Sequence, residues 1–442
     1  MSKVYDVCLI GLGPAGIGFL SSIDTSIMKN TICFEKGSMD SICNCHTSED
    51  RSCLCCDPCC IVSGLGGASS FSCGKISTYP AGSGMLSFFD SEDSMSTFLN
   101  SEIDTLNSFL CLKKLDVSKE KQIEMQDYFQ KKGISYKYYD VYEFQKELYY
   151  SHLTKIISNA IKAKTEVLYN TTVTNISCIN SMNDTVYSIF AKDNKKEYSC
   201  LAKKVVFATG NICSNNSIIE DLTGEKGEYN YEIGVRVAVP TKKISSYLDT
   251  HGDLKLKYKN GRTYCVSQDG YIIAYSINDI MLLEGYIDKS NPTNVTNFAI
   301  IFKGKNKQYV DSFKSKYYIS FLGVPIKQNY SDYLNNSFSN YDISLVEQYF
   351  PVQSGNIKLL FSQKINESLT EFIDLVLIKA MGLNKEDITL YAPELKETYC
   401  YNTNMDFQVS QGVYVLGAAT GKFRGILQSY CSGILCGRNI RR

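Results

Sequence analysis

Hydrophobic positions first concentrate in Val4-Tyr5-Asp6-Val7-Cys8-Leu9-Ile10, a β-rich run that predicts a buried strand. It leads into Gly11-Leu12-Gly13-Pro14-Ala15-Gly16, which predicts a tight turn opening a helix, and then into Thr31-Ile32-Cys33-Phe34, a second buried strand ending on Glu35-Lys36. Ser91 to Gln145 is mostly polar, with apolar residues at amphipathic helical spacing, and Ser151 to Lys164 reads as a further helix. Three strand-like runs follow, Glu166 to Ile179, Thr185 to Lys192 and Glu197 to Ala202, with Asn, Asp and Lys turns between them. The last leads to Lys203-Lys204-Val205-Val206-Phe207-Ala208-Thr209-Gly210, a buried strand stopping at glycine. From Asn215 to Pro393 strands such as Glu232 to Val239 and Tyr271 to Tyr275 mix with helices such as Glu371 to Met381, an α+β pattern. The final apolar run, Gly412 to Gly421, ends in glycines, and a small-residue helix begins over Arg424 to Gly433.

The opening strand, glycines, helix, strand and acid together predict a dinucleotide clamp. Gly11 permits the sharp turn, Gly13 lets a pyrophosphate approach bare backbone, and Gly16 lets the helix pack close to the strand. The helix N-terminus, which begins at Pro14-Ala15, then offers unpaired N–H groups and a positive dipole end to the phosphates. Glu35, with Lys36 beside it, falls about 20 residues beyond the glycines, where an acid reaches a ribose hydroxyl. Ser63-Gly64-Leu65-Gly66-Gly67-Ala68 offers bare backbone at Gly66 and Gly67 to a flat or phosphorylated ligand, with a surface loop as the plainer reading. No second GxGxxG occurs between Asn215 and Pro393, which argues against a separate NAD(P)H domain.

The order of elements is similar to that of two-domain flavoproteins of the glutathione reductase and hydroxybenzoate hydroxylase type. There a three-stranded meander precedes a strand ending in Ala-Thr-Gly, here Ala208-Thr209-Gly210. In FAD enzymes an element like Gly412–Gly421 with its helix supplies the last strand and a helix pointing at the flavin, which raises FAD above NAD as the ligand. The chain further resembles the poorly characterised FAD-dependent dehydrogenase family. The resemblance rests on the clamp, on Ser63–Ala68 with Phe71–Lys75, on Ile233–Val237, Arg262–Cys265 and Ala392–Lys396, and on Arg424-Gly425-Ile426. It implies bound FAD, with Val173, Ala208, Gly210, Gly417, Ala418, Arg424, Gly425 and Ile426 joining the clamp residues as contacts. Two positions depart from the pattern: Ala418 stands where an aspartate usually holds a ribityl hydroxyl, and Cys73 where an aspartate is expected before Gly74-Lys75.

Composition narrows the classes. With 44% hydrophobic residues the chain can bury a large core, and 46 basic against 46 acidic residues leave no net field to draw it to nucleic acid or an anionic membrane. No apolar run nears roughly 18 residues, so a membrane span is not expected and a cytoplasmic location is. Of 18 cysteines, seven lie between Cys43 and Cys60. Cys53, Cys56 and Cys59 have the C-x2-C-x2-C spacing that opens a ferredoxin-type run, and Cys43, Cys45, His46 or Cys60 could complete an iron–sulfur or zinc site. Cys55 and Cys60 alternatively have the C-x4-C spacing of a redox-active disulfide, and functionally silent thiols are the third reading. His152 and His251 read as structural or solvated residues, Arg236 as a half-buried sheet arginine in preference to a partner for an anionic substrate, and the tyrosines between Tyr136 and Tyr150 as core.

The expected fold is therefore α/β: a glutathione-reductase-type Rossmann FAD-binding domain with a β-meander, in segments 1–90, 151–215 and 394–442. A helical segment spans 91–150, and an inserted α+β substrate domain spans 216–393. The expected function is an FAD-dependent oxidoreductase acting on a small-molecule or peptide substrate, with an electron-donor protein or transient NAD(P)H as partner. A flavin-dependent thiol oxidase or disulfide reductase and a flavin/metal electron carrier are the alternatives; a monooxygenase also remains open.

Overall fold

The computed structural model describes residues 3–40, 56–180, 185–211, 216–248, 253–277, 279–340 and 344–440. Five parallel strands run side by side at its centre. Val7–Ile10 lies between Thr31–Phe34 and Val205–Phe207; Glu166–Leu168 adds beyond the former and Val413–Val415 beyond the latter. In chain order this is 3-2-1-4-5, the Rossmann arrangement, with Gln408–Ser410 as an antiparallel edge. The three central strands are buried along their whole length, which explains their unbroken apolar sequence: a parallel sheet covered on both faces has no solvent side.

One face is covered by helices Pro14–Ser22 and Ile426–Asn439. They approach so closely that a Cβ on Gly18 would lie 2.1 Å from the Tyr430 carbonyl oxygen, and one on Gly433 would lie 2.0 Å from that of Ala15. Helices Glu92–Leu110 and Lys146–Lys162 add to this core. The other face packs on the meander, where Thr172–Asn180, Thr185–Lys192 and Glu197–Ala202 pair antiparallel and Val4–Tyr5 joins parallel to the last.

The second body is an eight-stranded sheet. Its centre is Glu228–Pro240, flanked by Val295–Gly304 and Thr389–Cys400. Gly261–Ser267, Lys255–Tyr258 and Ser135–Lys137 extend one side, Ile326–Asn329 and Gln353–Ser354 the other. A separate hairpin, Tyr271–Ile277 with Ile280–Tyr286, packs against it.

Three expectations need correction. The run Glu166 to Ile179 is not one strand: it breaks at Asn170, in left-handed conformation (φ 53°), so that its first half joins the parallel sheet and its second half the meander. The stretch from Ser91 to Gln145 is not all helix, because Lys113–Lys114, Ser135–Lys137 and Val141–Glu143 are strands whose shortness hid their period. Ser135–Lys137 belongs to the large sheet, and Thr389–Cys400 runs unbroken across the boundary expected at 393/394. Among the described residues no helix is long and apolar enough to cross a membrane.

Candidate active site

A cavity of about 1450 Å³ opens between the parallel sheet and the large sheet. Two helix N-termini face it. Helix Pro14–Ser22 starts at Gly13 and helix Ile426–Asn439 at Gly425 (φ 108°), and neither start is capped by a side chain. Gly13, Pro14, Ala15, Gly425 and Ile426 all line the cavity, so two sets of first-turn amides and two positive dipole ends converge on one space.

The glycines divide by task. Gly11 has φ 98° and its Cβ would fall 2.6 Å from the Ala208 carbonyl oxygen, while a Cβ on Gly16 would sit 2.1 Å from that of Gly11; both positions exclude a side chain. Gly13 differs, since a Cβ there meets nothing within 4 Å and would project into open space. The absent side chain at Gly13 thus leaves room for something other than protein.

Glu35, Lys36, Gly67, Val173, Ala208, Gly210, Ala418 and Arg424 also line the cavity. Gly16, Gly66 and Gly417 do not: they serve packing, Gly66 donating its N–H to Leu12 (2.9 Å) and Gly417 donating to Ser432 (2.9 Å). Glu35 has a role the spacing did not reveal. Its buried carboxylate accepts from the amides of Leu12 (2.8 Å), Gly37 (2.9 Å) and Gly64 (2.8 Å), tying the glycine turn to the Ser63–Ala68 segment. A carboxylate offers about four lone-pair positions, so these three bonds take up most of its capacity. Burial raises the Glu35 pKa against the lowering effect of these three bonds. Arg424 reaches across to the large sheet, donating to Glu232 (2.7 Å) and Thr398 (2.7 Å).

The large sheet contributes charge. Burial would raise the Glu232 pKa, but Arg262 and Arg424 outweigh it and hold the carboxyl below its ordinary value. Arg236 is 0% exposed and saturated by the protein, donating to Asn297 (2.7 Å) and to the Cys265 carbonyl (2.8 Å) and pairing with Glu394 (3.5 Å) and Glu284 (3.7 Å). It is no half-buried sheet arginine, and it has no fork left for an anionic substrate. Lys396 pairs with Glu284, and Glu284, Lys396, Tyr264 and Tyr275 line the cavity. Against the cost of burial, the Lys396 and Arg236 charges hold Glu284 down to about 2. The sequence pattern gave no site role to Glu284, Lys396, Tyr264 or Tyr275, although Tyr264 and Lys396 fall in stretches that carry the family resemblance. The usable signal was a charge inside an apolar run, as in Ile280-Met281-Leu282-Leu283-Glu284, because a charge in a buried strand requires a partner.

Cys73 and Cys265 also line the cavity, their Sγ atoms 4.0 Å apart, with Ser267 Oγ 3.0 Å from Cys73 Sγ. The hydrogen bond with Cys265, aided by Lys75, Ser267 and Arg236, outweighs burial and draws Cys73 down to about 6. Cys265 moves the opposite way, well above the ordinary thiol range, through its hydrogen bond to Cys73, burial, and the Cys73 and Glu284 charges.

Of the expected metal ligands, Cys56, Cys59 and Cys60 are not brought to this site. Cys43, Cys45, Cys53 and Cys55 lie outside the described residues, as do His46 and His251. Cys59 is buried, with Cys60 packed beside it on the core of the large sheet, and neither they nor Cys56 lines the cavity. Among the described residues no group of three or more His, Cys, Asp or Glu side chains could hold a metal ion. His152 is buried and stacked on Phe109 (4.6 Å), a structural placement.

No family model matches the chain, and no curated protein matches it. Among solved structures it is similar to a flavoprotein/dehydrogenase from Cytophaga hutchinsonii (13% identity, 98% of this chain and 77% of that one, TM-score 0.40). It is similar also to glycine oxidase from Geobacillus kaustophilus (14%, 98% and 94%, TM-score 0.39). A third is L-alpha-glycerophosphate oxidase from Mycoplasma pneumoniae with FAD bound (11%, 99% and 96%, TM-score 0.39). At such TM-scores the likeness says nothing of shared chemistry.

Proposed function

We propose that this chain holds FAD in a glutathione-reductase-type Rossmann domain and acts as an oxidoreductase on a small-molecule substrate. The observation that carries this reading is the pair of uncapped helix N-termini facing one cavity, with the unfilled Cβ position of Gly13 beside the first. Gly13, Pro14 and Ala15 would receive the pyrophosphate, Glu35, Lys36 and Val173 the adenosine half, and Gly425 and Ile426 the flavin half. Ala418 cannot donate or accept through its side chain, so ribityl contacts there fall to backbone. The bound flavin would supply two-electron exchange with an organic substrate. Glu284 and Lys396 would orient that substrate, and the tyrosines Tyr264 and Tyr275 would limit water around it.

Gly13→Val gives a clean test, because the added Cβ meets no protein atom within 4 Å and φ is −70° there. The purified full chain is expected to be yellow and to release FAD on denaturation. The variant should fold normally but bind FAD on the order of a hundredfold more weakly, about 2.7 kcal/mol. A colourless wild-type protein that unfolds cooperatively and takes up no added FAD would overturn the reading.

A further inference from the structure

Two cysteines 192 positions apart meet on the cavity, and the surrounding structure is shaped to keep them there. Cys265 stands at an irregularity between Tyr264 and Ser267, where the register with Val295–Gly304 shifts, and has φ 50°. Bulges of this kind re-aim a side chain, and a left-handed non-glycine residue carries a backbone cost that neighbouring contacts must offset. Here the offset is visible: Arg236 donates to the Cys265 carbonyl (2.8 Å), and the same guanidinium lies 3.5 Å from Ser267 Oγ. Gly285 completes the pocket, since a Cβ there would lie 1.9 Å from Arg236 Nη2. Cys73 then rests between Cys265 Sγ, Ser267 Oγ (3.0 Å) and the Gly285 carbonyl (3.7 Å).

The cavity is also asymmetric in charge. Its lining includes Lys75, Lys137, Lys255, Lys257 and Arg262, and basic residues outnumber the acids Glu35, Glu232, Asp253 and Glu284. Such a surface concentrates anions.

We propose that Cys73 and Cys265 form a thiol–disulfide exchange centre for an anionic low-molecular-weight disulfide, Cys73 attacking and Cys265 resolving. The centre does not depend on the nucleotide site. In the first step Cys73 sulfur bonds to one sulfur of the disulfide, whose S–S bond breaks; the departing thiolate takes a proton from water, and a mixed disulfide remains on Cys73. That step removes the negative charge which held the proton on Cys265. Cys265 then gives its proton to water and attacks the Cys73 sulfur, releasing the second thiolate, which is protonated in turn. Two electrons have moved from the cysteine pair to the small disulfide, leaving two small thiols and a Cys73–Cys265 bond. The sulfurs must close from 4.0 Å to the disulfide length of about 2.0 Å. Arg236 is a positioning residue in this scheme, holding the Cys265 backbone.

The test uses the purified full chain, reduced and desalted, exposed to glutathione disulfide, quenched by alkylation and mapped by peptide mass spectrometry. Wild type should give a cross-linked Cys73–Cys265 peptide with no lasting glutathione on either residue. Cys265→Ser should accumulate one glutathionyl group on Cys73, and Cys73→Ser should form the Cys265 adduct at least about tenfold more slowly. Cationic cystamine at the same concentration should oxidise the pair more slowly than glutathione disulfide does. A wild-type protein whose Cys73 and Cys265 stay alkylatable through the reaction would overturn the proposal, whatever its flavin content. So would a Cys265→Ser protein carrying glutathione elsewhere but not on Cys73. Faster oxidation by cystamine would overturn the assignment of an anionic substrate.

Discussion

The two bodies that enclose the cavity are built by different means. The Rossmann side presents backbone: two helix N-termini, a glycine turn and the ends of parallel strands. The large sheet presents side chains drawn from distant strands, with Arg236, Cys265, Glu284 and Lys396 meeting around one buried charge network. Backbone devices are local and recur across Rossmann-type folds. Side-chain networks depend on every partner at once, so they set what is particular to this protein and are the more fragile of the two.

That contrast can be broken first at Arg236. Arg236→Met leaves Glu394 buried without its guanidinium partner, and the expected loss is about 3–5 kcal/mol in denaturant unfolding. A loss below about 1 kcal/mol would mean the network is not what holds the large sheet at the cavity. The Rossmann side should yield less. Gly18→Ala places a Cβ 2.1 Å from the Tyr430 carbonyl oxygen, forcing the helix pair apart at about 1–3 kcal/mol in the same measurement.

A third measurement sharpens the comparison through pH. Because Cys73 is drawn down to about 6, its alkylation rate should be near its plateau at pH 7 and fall roughly tenfold per unit well below pH 6, as the reactive thiolate is protonated. Cys33 and Cys431, buried and pushed up by desolvation, should stay unreactive over the same range until the protein unfolds. Equal reactivity of all three would remove the distinction between cavity and core thiols. Smallest of all, Lys3→Ala removes an exposed pair with Glu166 at the edge of the parallel sheet. It should change stability by no more than about 1 kcal/mol.

Much of the Rossmann side was legible because its signals are local. Val7–Ile10, the three glycines, Thr31–Phe34 and Val205–Phe207 each announce their structure within a few residues, and their pairing follows the order expected of such folds. The break at Asn170 was missed because a single left-handed residue leaves the strand pattern on either side intact. The short strand Ser135–Lys137 was missed because three residues carry no readable period. Glu35 was read as a ribose acceptor, yet its bonds to Leu12, Gly37 and Gly64 depend on loops folding back over it.

By itself the sequence determined the strands Val7–Ile10, Thr31–Phe34, Val205–Phe207 and Val413–Val415, the glycine turn and the last helix, since hydrophobic period and glycine placement act over a turn or a strand. Only the tertiary structure decided that Cys73 faces Cys265, that Arg236 is spent on holding Cys265 and Glu394, and that Glu284 and Lys396 reach the cavity. These are contacts between strands far apart in the chain, and nothing in a linear pattern fixes which buried charge or thiol will find which partner.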